Sequence, residues 1–343
     1  MPLIYVTMDD VSIVRQGYGF ALKSNGKKFA HIPQGIVDQF MIGPNVEIAP
    51  KTLAAINTLG IPTAFLDQNG IIRSRLVPSF SSNVHARIAQ AIAWENIDMR
   101  LKLAKVFVAA KLANQAHSIA LYEKNNVDNV FKITRKFILS LGEKLSQADS
   151  VNEVLGVEGI AAVAYWKAFG AMIKNKNFTW TGRKKHPSLD PVNAMLSYGY
   201  AILSNIVHSY LELSDLDPYV GYLHSTDSRK MSFAYDIIEP YRALFVDKLV
   251  IRMINLSMVS KDDFYQDGGN GIFMVDNARK LLVKEICGSI NSCDEELSMN
   301  SVQKLILEDI EKFNNLAKER SLGNFMPYVA DIDSKIIKCL NHL

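Results

Sequence analysis

The sequence lacks the features that mark several specialised protein classes. Its three cysteines, Cys287, Cys293 and Cys339, include no CxxC pair, so neither a zinc module nor a disulfide framework is expected. Basic and acidic residues nearly balance at a net charge of +3, so the overall charge does not favour nucleic-acid binding. The N-terminus shows no basic segment followed by a long apolar run, as a secretion signal would. We therefore expect a cytoplasmic protein.

One stretch, residues 191–211, contains no Asp, Glu, Lys or Arg and raises the question of a membrane span. Polar residues interrupt it, among them Asn193, Ser204 and His208, so a buried helix fits better than a helix in a bilayer. The 343 residues, 48% of them hydrophobic, are enough for one large domain or two ordinary ones with a sizeable core. No membrane association is expected.

The first 82 residues are typical of a small β-rich domain. Short runs of Val, Ile, Phe and Tyr are broken by turn residues. Asn25-Gly26 and Asn69-Gly70 each separate two such runs, and Asn-Gly is the preferred pair for a two-residue hairpin turn. One short helix is predicted at Pro50–Thr58, where proline suits the first helical position.

Residues 83–343 are predicted to form a larger, all-α domain. Apolar residues recur there at helical spacing, and strand signals are few. The fold class is therefore α+β, with the boundary near residue 82. Helices are predicted at 84–124, 128–147, 157–174, 190–213, 241–257, 275–293 and 299–320.

Four residues of the helical region are candidates for chemistry. Glu158 lies in the apolar stretch GVEGIAAVAYWKAF, where a carboxylate needs a partner or a chemical role. His224 ends the segment GYLH, and Asp236 and Glu239 lie three residues apart in DIIEPYR, on one face if the turn is helical. Pro240 leaves two possibilities open: a helix that ends at Glu239, or a new helix with Pro240 at its first position.

A histidine with two or three carboxylates offers both nitrogen and oxygen ligands. Such a set suits Mn²⁺, and Mg²⁺ less strongly, and leaves positions for water and phosphate oxygens. It would serve phosphoryl transfer on DNA or RNA. The residues alone leave simpler interpretations open: a structural or solvated His224, an exposed acidic face, or a Glu158 that pairs with a buried Arg or Lys.

The stretch 174–186, KNKNFTWTGRKKH, is basic and contains no acid. Interleaved aromatic residues, Phe178 and Trp180, would let it hold a DNA backbone and stack on unpaired bases; the alternative is a solvated loop between helices. A weaker candidate is a helical stripe formed by Lys102, Lys105 and Lys111. The DNA contacts predicted in the basic stretch are Lys174, Lys176, Trp180, Arg183, Lys184 and Lys185.

Three segments together resemble a known family. GVEGIAAVAYW, GYLH and DIIEPYR, in that order, are similar to the signature segments of the first Cas protein, the CRISPR-associated integrase (the Cas-one family). DPVNAMLSYGYAIL, KLANQ and NFMPYVAD resemble further segments of that family. The resemblance covers most of the chain and includes the order of a β domain followed by an α-helical domain.

The resemblance implies a metal-dependent DNA endonuclease and integrase of CRISPR adaptation. Glu158, His224 and Glu239 match the family's ligands for Mn²⁺ or Mg²⁺, and Asp236 matches a neighbouring acid that supports them. The family joins the 3′-hydroxyl of spacer DNA to a phosphodiester in the CRISPR repeat. Arg242 matches the basic residue after the Pro-aromatic pair and is a further candidate DNA contact. Tyr165 either faces the site or packs in the core.

The resemblance also implies partners: DNA in the form of spacer precursor and repeat, a homodimer through the β domain, and the second Cas protein as a bridge between dimers. Two other functions remain open. One is a transposase-like integrase of a mobile element with the same site, although such relatives usually carry an added DNA-binding region that is not visible here. The other is a non-catalytic helical scaffold that binds DNA or protein.

Overall fold

The structure is a computed structural model. It describes residues 3–67, 70–76, 84–123, 129–184, 187–224, 230–266, 268–269, 271–294, 297, 300–331 and 334–340. The chain divides into two compact units, Met1–Ser82 and Asn83–Leu343. The α+β class expected from the sequence is confirmed: a β-sheet unit is followed by a mostly helical one.

The first unit consists of two four-stranded sheets, ordered β1-β5-β7-β8 and β4-β3-β2-β6. Apolar side chains of both sheets form one core, in which the rings of Phe20 and Phe40 meet edge to face at 5.3 Å. The elements are β1 (Leu3–Val6), β2 (Val11–Gln16), β3 (Gly19–Ser24), β4 (Lys27–Pro33), β5 (Gln39–Ile42), β6 (Val46–Ile48), α1 (Pro50–Thr58), β7 (Thr63–Leu66) and β8 (Ile72–Leu76).

The hairpin turn predicted at Asn25-Gly26 is confirmed. Asn25 and Gly26 connect the antiparallel strands β3 and β4 with φ angles of 49° and 75°, the positive values that a two-residue hairpin turn requires. The predicted helix at Pro50–Thr58 is confirmed as α1. Asn69 lies outside the described residues, although the flanking strands β7 and β8 do pair antiparallel.

The second unit is mostly helical. The expectation of an all-helical domain is wrong in one place, where β9 (Phe264–Gln266) and β10 (Ile272–Met274) form a short antiparallel hairpin. The helices are α2 (Val84–Glu95), α3 (Ile97–Glu123), α4 (Asn129–Ser146), α5 (Val151–Met172), α6 (Pro191–Leu213), α7 (Ser232–Ile238), α8 (Lys248–Asn255), α9 (Asp276–Ile290), α10 (Val302–Lys318) and α11 (Lys335–Leu340).

Capping residues set the ends of the helices that carry the site. Ser150 begins α5 earlier than the sequence predicts, because its hydroxyl accepts a hydrogen bond from the backbone of Glu153 while the Glu153 carboxylate accepts one from Asp149. Asp190 caps α6 in the same way, ahead of Pro191. Asn96 separates α2 from α3 by accepting from the backbone of Met99.

The charge-free stretch 191–211 forms most of α6, and its side chains are largely buried in the protein. By length and composition alone, one helix of the described chain, α5, could cross a membrane. It carries Glu153 and Glu158 and packs against α3 and α4.

Helix α3 lies at the centre of the second unit, and its middle is buried on every side. It packs against α4, α5 and the turn that follows α7. Its buried polar side chains include Lys105, which donates to the carbonyl of Ser146 at 2.7 Å, and Lys111. The predicted basic stripe of Lys102, Lys105 and Lys111 is therefore wrong, because two of these lysines point into the protein.

Candidate active site

Lys111 on α3 lies between two glutamates of different elements. Its Nζ contacts Oε1 of Glu158 on α5 and lies 2.8 Å from Oε2 of Glu239, the residue after α7. Burial lowers the pKa of Lys111, but the carboxylates of Glu239 and Glu158 outweigh this effect and raise the pKa above its ordinary value. The ammonium therefore stays charged. Glu158, the acid in the apolar stretch, has a buried lysine as its partner.

Glu239 is the most enclosed of the carboxylates around Lys111. Its side chain is 3% exposed, and Nη2 of Arg242 lies 2.9 Å from its Oε1. Burial alone would raise the pKa of Glu239, but Arg242, Lys111 and His224 together lower it to about 2. The carboxylate is therefore ionised across the physiological range, with positive charge on either side of it.

The segments GYLH and DIIEPYR meet at the carboxylate of Asp236. This fully buried group accepts hydrogen bonds from the backbone N–H groups of Tyr222, Leu223 and His224 at 2.6, 3.0 and 3.2 Å. Its Oδ1 also lies 2.7 Å from Nδ1 of the His224 ring. If Nδ1 donates that bond, Nε2 keeps its lone pair, and Nε2 faces Oε1 of Glu239 at 3.7 Å. Asp236 therefore both folds the loop and orients the imidazole.

Gly221 permits this close approach. A Cβ atom at this position would lie 2.6 Å from Cβ of Ser232 and 2.7 Å from its backbone carbonyl carbon, at the start of α7. Gln90 on α2 holds the preceding backbone: its amide accepts from the N–H of Asp217 at 2.8 Å and donates to the carbonyls of Asp217 and Val220. The loop that carries His224 is thus fixed by backbone contacts.

The chain around Pro240 combines the two predicted forms, because Glu239 is the C-cap of α7 and Pro240 lies in the first turn of a new 3₁₀ helix. Helix α7 ends at Ile238, a 3₁₀ turn covers Glu239–Tyr241, and a π-helical turn covers Arg242–Asp247 before α8. Asn114 on α3 donates to the carbonyl of Pro240 at 2.9 Å. Lys111 and Asn114, both from the KLANQ segment, therefore hold the side chain and the backbone of the same turn.

The π-helical turn places Arg242 and Asp247, five residues apart, against the same ring. Such turns are frequently found at functional sites. The guanidinium of Arg242 lies over Tyr200, 4.7 Å from the ring centroid, and Arg183 lies over the same ring at 5.6 Å. The hydroxyls of Tyr200 and Tyr165 both donate to Asp247. Tyr165 is 1% exposed, so of its two possible positions it occupies the core.

A cavity of about 870 Å³ opens beside this cluster. Its wall is mixed in charge but contains more cations than anions, and two tryptophans, Trp166 and Trp180, add aromatic surface. A groove of this kind suits a polyanion with bases, such as a nucleic-acid strand. The charged lining residues are Lys111, Lys167, Arg183, Arg242, Glu158 and Asp247.

The basic stretch is only partly available for binding. Lys174, Lys176 and Lys184 are exposed, whereas Lys185 lies outside the described residues. Arg183 is half-buried and donates to Asn193 and Ser197. Trp180 packs on Trp166 and Phe169, and its Nε1 donates to the carbonyl of Trp166 at 2.9 Å. Phe178 packs against Phe264 and lines the cavity, with only 6% of its surface exposed, so little of its ring is available to stack on a base.

The structure adds functional candidates that sequence reasoning misses. The spacing of Lys111 suggests an exposed stripe, and no sequence pattern singles out Asp247 or Tyr200. A signal for Lys111 does exist, because KLANQ is one of the segments similar to the family. The sequence contains no such signal for Asp247, because an isolated acid in an apolar helical stretch does not identify its tyrosine partners.

Within the described ranges, no three His, Cys, Asp or Glu side chains converge closely enough to form a metal site. The ammonium of Lys111 lies between the carboxylates of Glu158 and Glu239. The donor atoms are nevertheless of the types that bind a divalent metal ion. Two carboxylates face one cation, and a histidine nitrogen with a lone pair lies beside them. Oε2 of Glu239 is buried, and the ammonium of Lys111 lies 2.8 Å from it.

Comparison with known proteins shows the family of the chain. The family model described as CRISPR associated protein Cas1 matches residues 4–287. A relative from Rhodospirillum rubrum named CRISPR-associated endonuclease Cas1 2 is 28% identical over 297 residues, 82% of this chain and 83% of that protein.

Solved structures share the fold. A casposase bound to integration product aligns with a TM-score of 0.81 at 22% identity over 99% of this chain and 98% of its own. A CAS1 protein from Thermotoga maritima aligns with a TM-score of 0.78 at 22% identity over 92% and 96%. A chain of a Cas6-RT-Cas1–Cas2 complex aligns with a TM-score of 0.80 at 19% identity over 95% of this chain and 36% of its own.

Proposed function

Because the chain belongs to the Cas1 family of CRISPR-associated proteins, we propose that it is the DNA integrase and endonuclease of CRISPR adaptation. In this reaction the 3′-oxygen of a spacer precursor attacks a phosphodiester of the repeat. A new P–O bond forms, the bond to the original 3′-oxygen breaks, and that oxygen takes up a proton. A second attack on the other strand completes insertion, and water in place of the 3′-hydroxyl gives nuclease activity.

One observation carries this proposal. Glu158, Glu239 and His224 come from separate parts of the chain, and the fold brings them to a single cluster beside the large cavity. We propose that Glu158, Glu239 and Nε2 of His224 hold Mn²⁺ or Mg²⁺. Bound there, the ion would lower the pKa of the attacking hydroxyl and neutralise charge on the phosphate. Asp236 acts through His224, by fixing which ring nitrogen faces the cluster.

The other residues of the cavity bind and orient DNA. Arg242 and Arg183 are held over Tyr200, and exposed Lys167 lines the same cavity, so the groove presents several cations to the phosphates of a strand. No covalent intermediate is required. The hydroxyls of Tyr165 and Tyr200 both donate to Asp247, and burial, together with the Asp247 charge, raises the pKa of each tyrosine well above its ordinary value. Neither is suited to attack phosphorus.

We further propose that the protein acts in the cytoplasm of a prokaryote as a homodimer bridged by the second Cas protein. One solved relative is a Cas1–Cas2 complex, and another is a Cas1–DNA complex. Strand β4 supports pairing through the first unit: it lies at the edge of its sheet, and its side chains, including Phe29, are mostly exposed. An exposed edge strand is stable against aggregation when a second copy or a partner covers it.

A second candidate is the integrase of a mobile element. The match to a casposase covers nearly the whole of both chains, which favours this alternative specifically. The active-site residues would be the same, and the two functions differ in target. A CRISPR integrase joins DNA at the repeat, whereas an element's integrase joins its own terminal sequences at other sites.

The test is strand transfer. The protein, with and without its bridging Cas partner, is mixed with labelled duplex carrying free 3′-hydroxyls, a supercoiled repeat plasmid and Mn²⁺ or Mg²⁺. Wild type is expected to join label to the plasmid, and Glu158→Gln to abolish joining. Glu153→Gln is the matched control, because it changes a glutamate of the same helix that caps the helix instead of contacting Lys111.

Three outcomes would change the proposal. Equal joining by Glu158→Gln would remove this residue from the chemistry. Joining outside the repeat, directed by the ends of the donor, would favour the mobile-element integrase. Tight DNA binding without joining by any form, in the presence of the partner, would favour the non-catalytic scaffold.

A further inference from the structure

We propose that Lys111 is an internal cation that a divalent metal ion must displace, and that this exchange couples metal binding to DNA binding. The inference rests on the proposed metal site, and it assigns Lys111 as a positioning residue. Before the metal binds, its ammonium keeps Glu158 and Glu239 directed at one point. Once the metal binds, the same ammonium becomes available to the DNA.

Lys111 and a metal ion would bind the same carboxylate oxygens. The ammonium contacts Oε1 of Glu158 and lies 2.8 Å from Oε2 of Glu239, and these carboxylates are the proposed ligands. A divalent ion bound to the same oxygens would lie within a few ångströms of Nζ, and two cations at that separation repel strongly inside a protein. A metal ion would therefore compete with Lys111 for these carboxylates instead of binding beside it.

The charge balance of the cluster also favours exchange of cations over addition of one. Glu239 has a further cationic neighbour, because Nη2 of Arg242 lies 2.9 Å from its Oε1. Lys111, Arg242 and the two carboxylates already balance. Adding a divalent ion without moving a cation would leave a positive excess in a nearly buried cluster, which is unfavourable. Of the two cations, Lys111 is the one that contacts both carboxylates, so its departure frees both.

The side chain of Lys111 can turn into the adjacent cavity. It lines the cavity of about 870 Å³ together with Lys167, Arg183 and Arg242. A lysine side chain has four rotatable bonds and can turn towards the open side while its backbone stays in α3. A DNA phosphate in the cavity would accept the displaced ammonium. By linkage, a phosphate that stabilises the displaced form must tighten metal binding, and the metal must tighten DNA binding by the same factor.

The primary experiment measures Mn²⁺ affinity by calorimetry for the full-length wild type and for Lys111→Met, which keeps the apolar stem and removes the charge. Titrations are made with and without a duplex that ends in 3′-dideoxynucleotides, so that no joining occurs. Without DNA, Lys111→Met is expected to bind Mn²⁺ about 10-fold tighter than wild type or more. DNA is expected to tighten Mn²⁺ binding about 10-fold more for wild type than for Lys111→Met, because only wild type gains from the transfer of the ammonium to a phosphate.

Lys167→Met is the matched control. Lys167 is exposed, lies on α5 with Glu158 and lines the same cavity. Its removal lowers the positive charge of the groove equally. We expect it to change Mn²⁺ affinity without DNA by less than about 3-fold and to keep the effect of DNA on Mn²⁺ binding, because it has no carboxylate to release.

A second measurement needs no variant, so it holds even if Lys111→Met does not fold. The wild type is treated briefly with an amine-acetylating reagent with and without saturating Mn²⁺, and labelling of each lysine is measured by mass spectrometry. Labelling of Lys111 is expected to rise several-fold with Mn²⁺, because its ammonium leaves the ion pairs. Exposed Lys167 serves as the internal reference and is expected to label equally in both states.

The outcomes separate this inference from the proposed function. Mn²⁺ binding by wild type with no tightening in Lys111→Met, or with Lys111 still protected from acetylation, overturns the inference and leaves the metal site standing. An absence of Mn²⁺ binding by both proteins, with and without DNA, overturns the metal site and the inference together.

Discussion

The ring of His224 is held by Asp236, with Nδ1 of the histidine 2.7 Å from Oδ1 of the aspartate. Asp236 also receives three backbone N–H groups of the loop that contains this histidine. The two residues therefore have different roles. His224 lies on the accessible side of the cluster, with its side chain 33% exposed, whereas Asp236 is fully buried.

This difference in burial predicts stability losses of different size for two substitutions. Asp236→Asn should lower the free energy of unfolding by about 3 kcal/mol, because a buried acceptor of four donors becomes an amide that cannot accept them all. His224→Ala should change it by less than about 1 kcal/mol, because the side chain is partly exposed. Urea unfolding measures both, and strand transfer should be lost in both. Equal stability of the two variants would contradict the assignment of Asp236 as the residue that folds the loop.

Tyr200 is predicted to act through its ring more than through its hydroxyl. Tyr200→Phe removes one hydrogen bond to Asp247 but keeps the face under Arg242, so strand transfer should stay within about 3-fold, with a stability loss of about 1–3 kcal/mol. Tyr200→Leu removes the ring and should lower the strand-transfer rate at least about 10-fold further, since Arg242 loses its support.

Tyr165→Phe is the control for that comparison. It also loses a hydrogen bond to Asp247, yet the structure places no arginine over its ring among the described residues. Its stability loss should match that of Tyr200→Phe. Similar strand-transfer rates for Tyr200→Leu and Tyr200→Phe would show that the ring does not position Arg242.

The exposed lysines of the basic stretch are predicted to bind DNA backbone. Changing Lys174, Lys176 and Lys184 together to alanine should weaken duplex binding. It should also make the slope of log affinity against log salt concentration shallower, by about 0.7–0.9 for each phosphate that a lysine no longer neutralises. Thermal stability should not change, because these side chains are exposed. Fluorescence anisotropy across a salt series gives the slope.

A triple variant of Lys280, Lys304 and Lys335 removes the same charge elsewhere and is the control. Each of these lysines pairs with an acid on the protein surface, with Asp276, Glu308 and Glu143 respectively. If both triple variants lower the salt slope equally, the stretch 174–186 is a solvated loop and not a binding surface.

Asp247 predicts a specific dependence of stability on pH. Burial raises its pKa from 3.8 to about 6, although the hydroxyls of Tyr200 and Tyr165 and the two arginines oppose this. Between these pH values the folded protein binds more protons at this carboxyl than the unfolded chain does. Its contribution to the free energy of unfolding is therefore present below about pH 4, falls as pH rises to about 6, and is constant above that.

Asp247→Asn should remove this dependence. Since one pKa unit corresponds to about 1.4 kcal/mol, the stability of wild type relative to Asp247→Asn should fall by up to about 3 kcal/mol between pH 4 and pH 7. Urea unfolding at several pH values measures the difference in free energy of unfolding between the two proteins. Distant titrating groups contribute equally to both proteins, so their effect cancels in this difference. Parallel pH profiles for the two proteins would show that the carboxyl titrates normally.

The sequence by itself determined the local structure and the set of ligand candidates. Asn25-Gly26 makes its hairpin because both positions tolerate positive φ, and Pro50 begins a helix because its fixed φ suits the first turn. The change from short apolar runs to helical spacing separates a β unit from an α unit. Such features depend on a few neighbouring residues, so they can be predicted without knowledge of distant partners.

The tertiary structure decided which polar groups meet. Lys111 and Glu158 are 47 positions apart, and Tyr165 and Asp247 are 82 apart. Helical periodicity indicates which face of an element a residue lies on, but not which charge the opposing element presents. The same lysine therefore fits an exposed stripe by its spacing and a buried ion pair by its contacts, and packing of α3 against α5 and the turn after α7 selects the second.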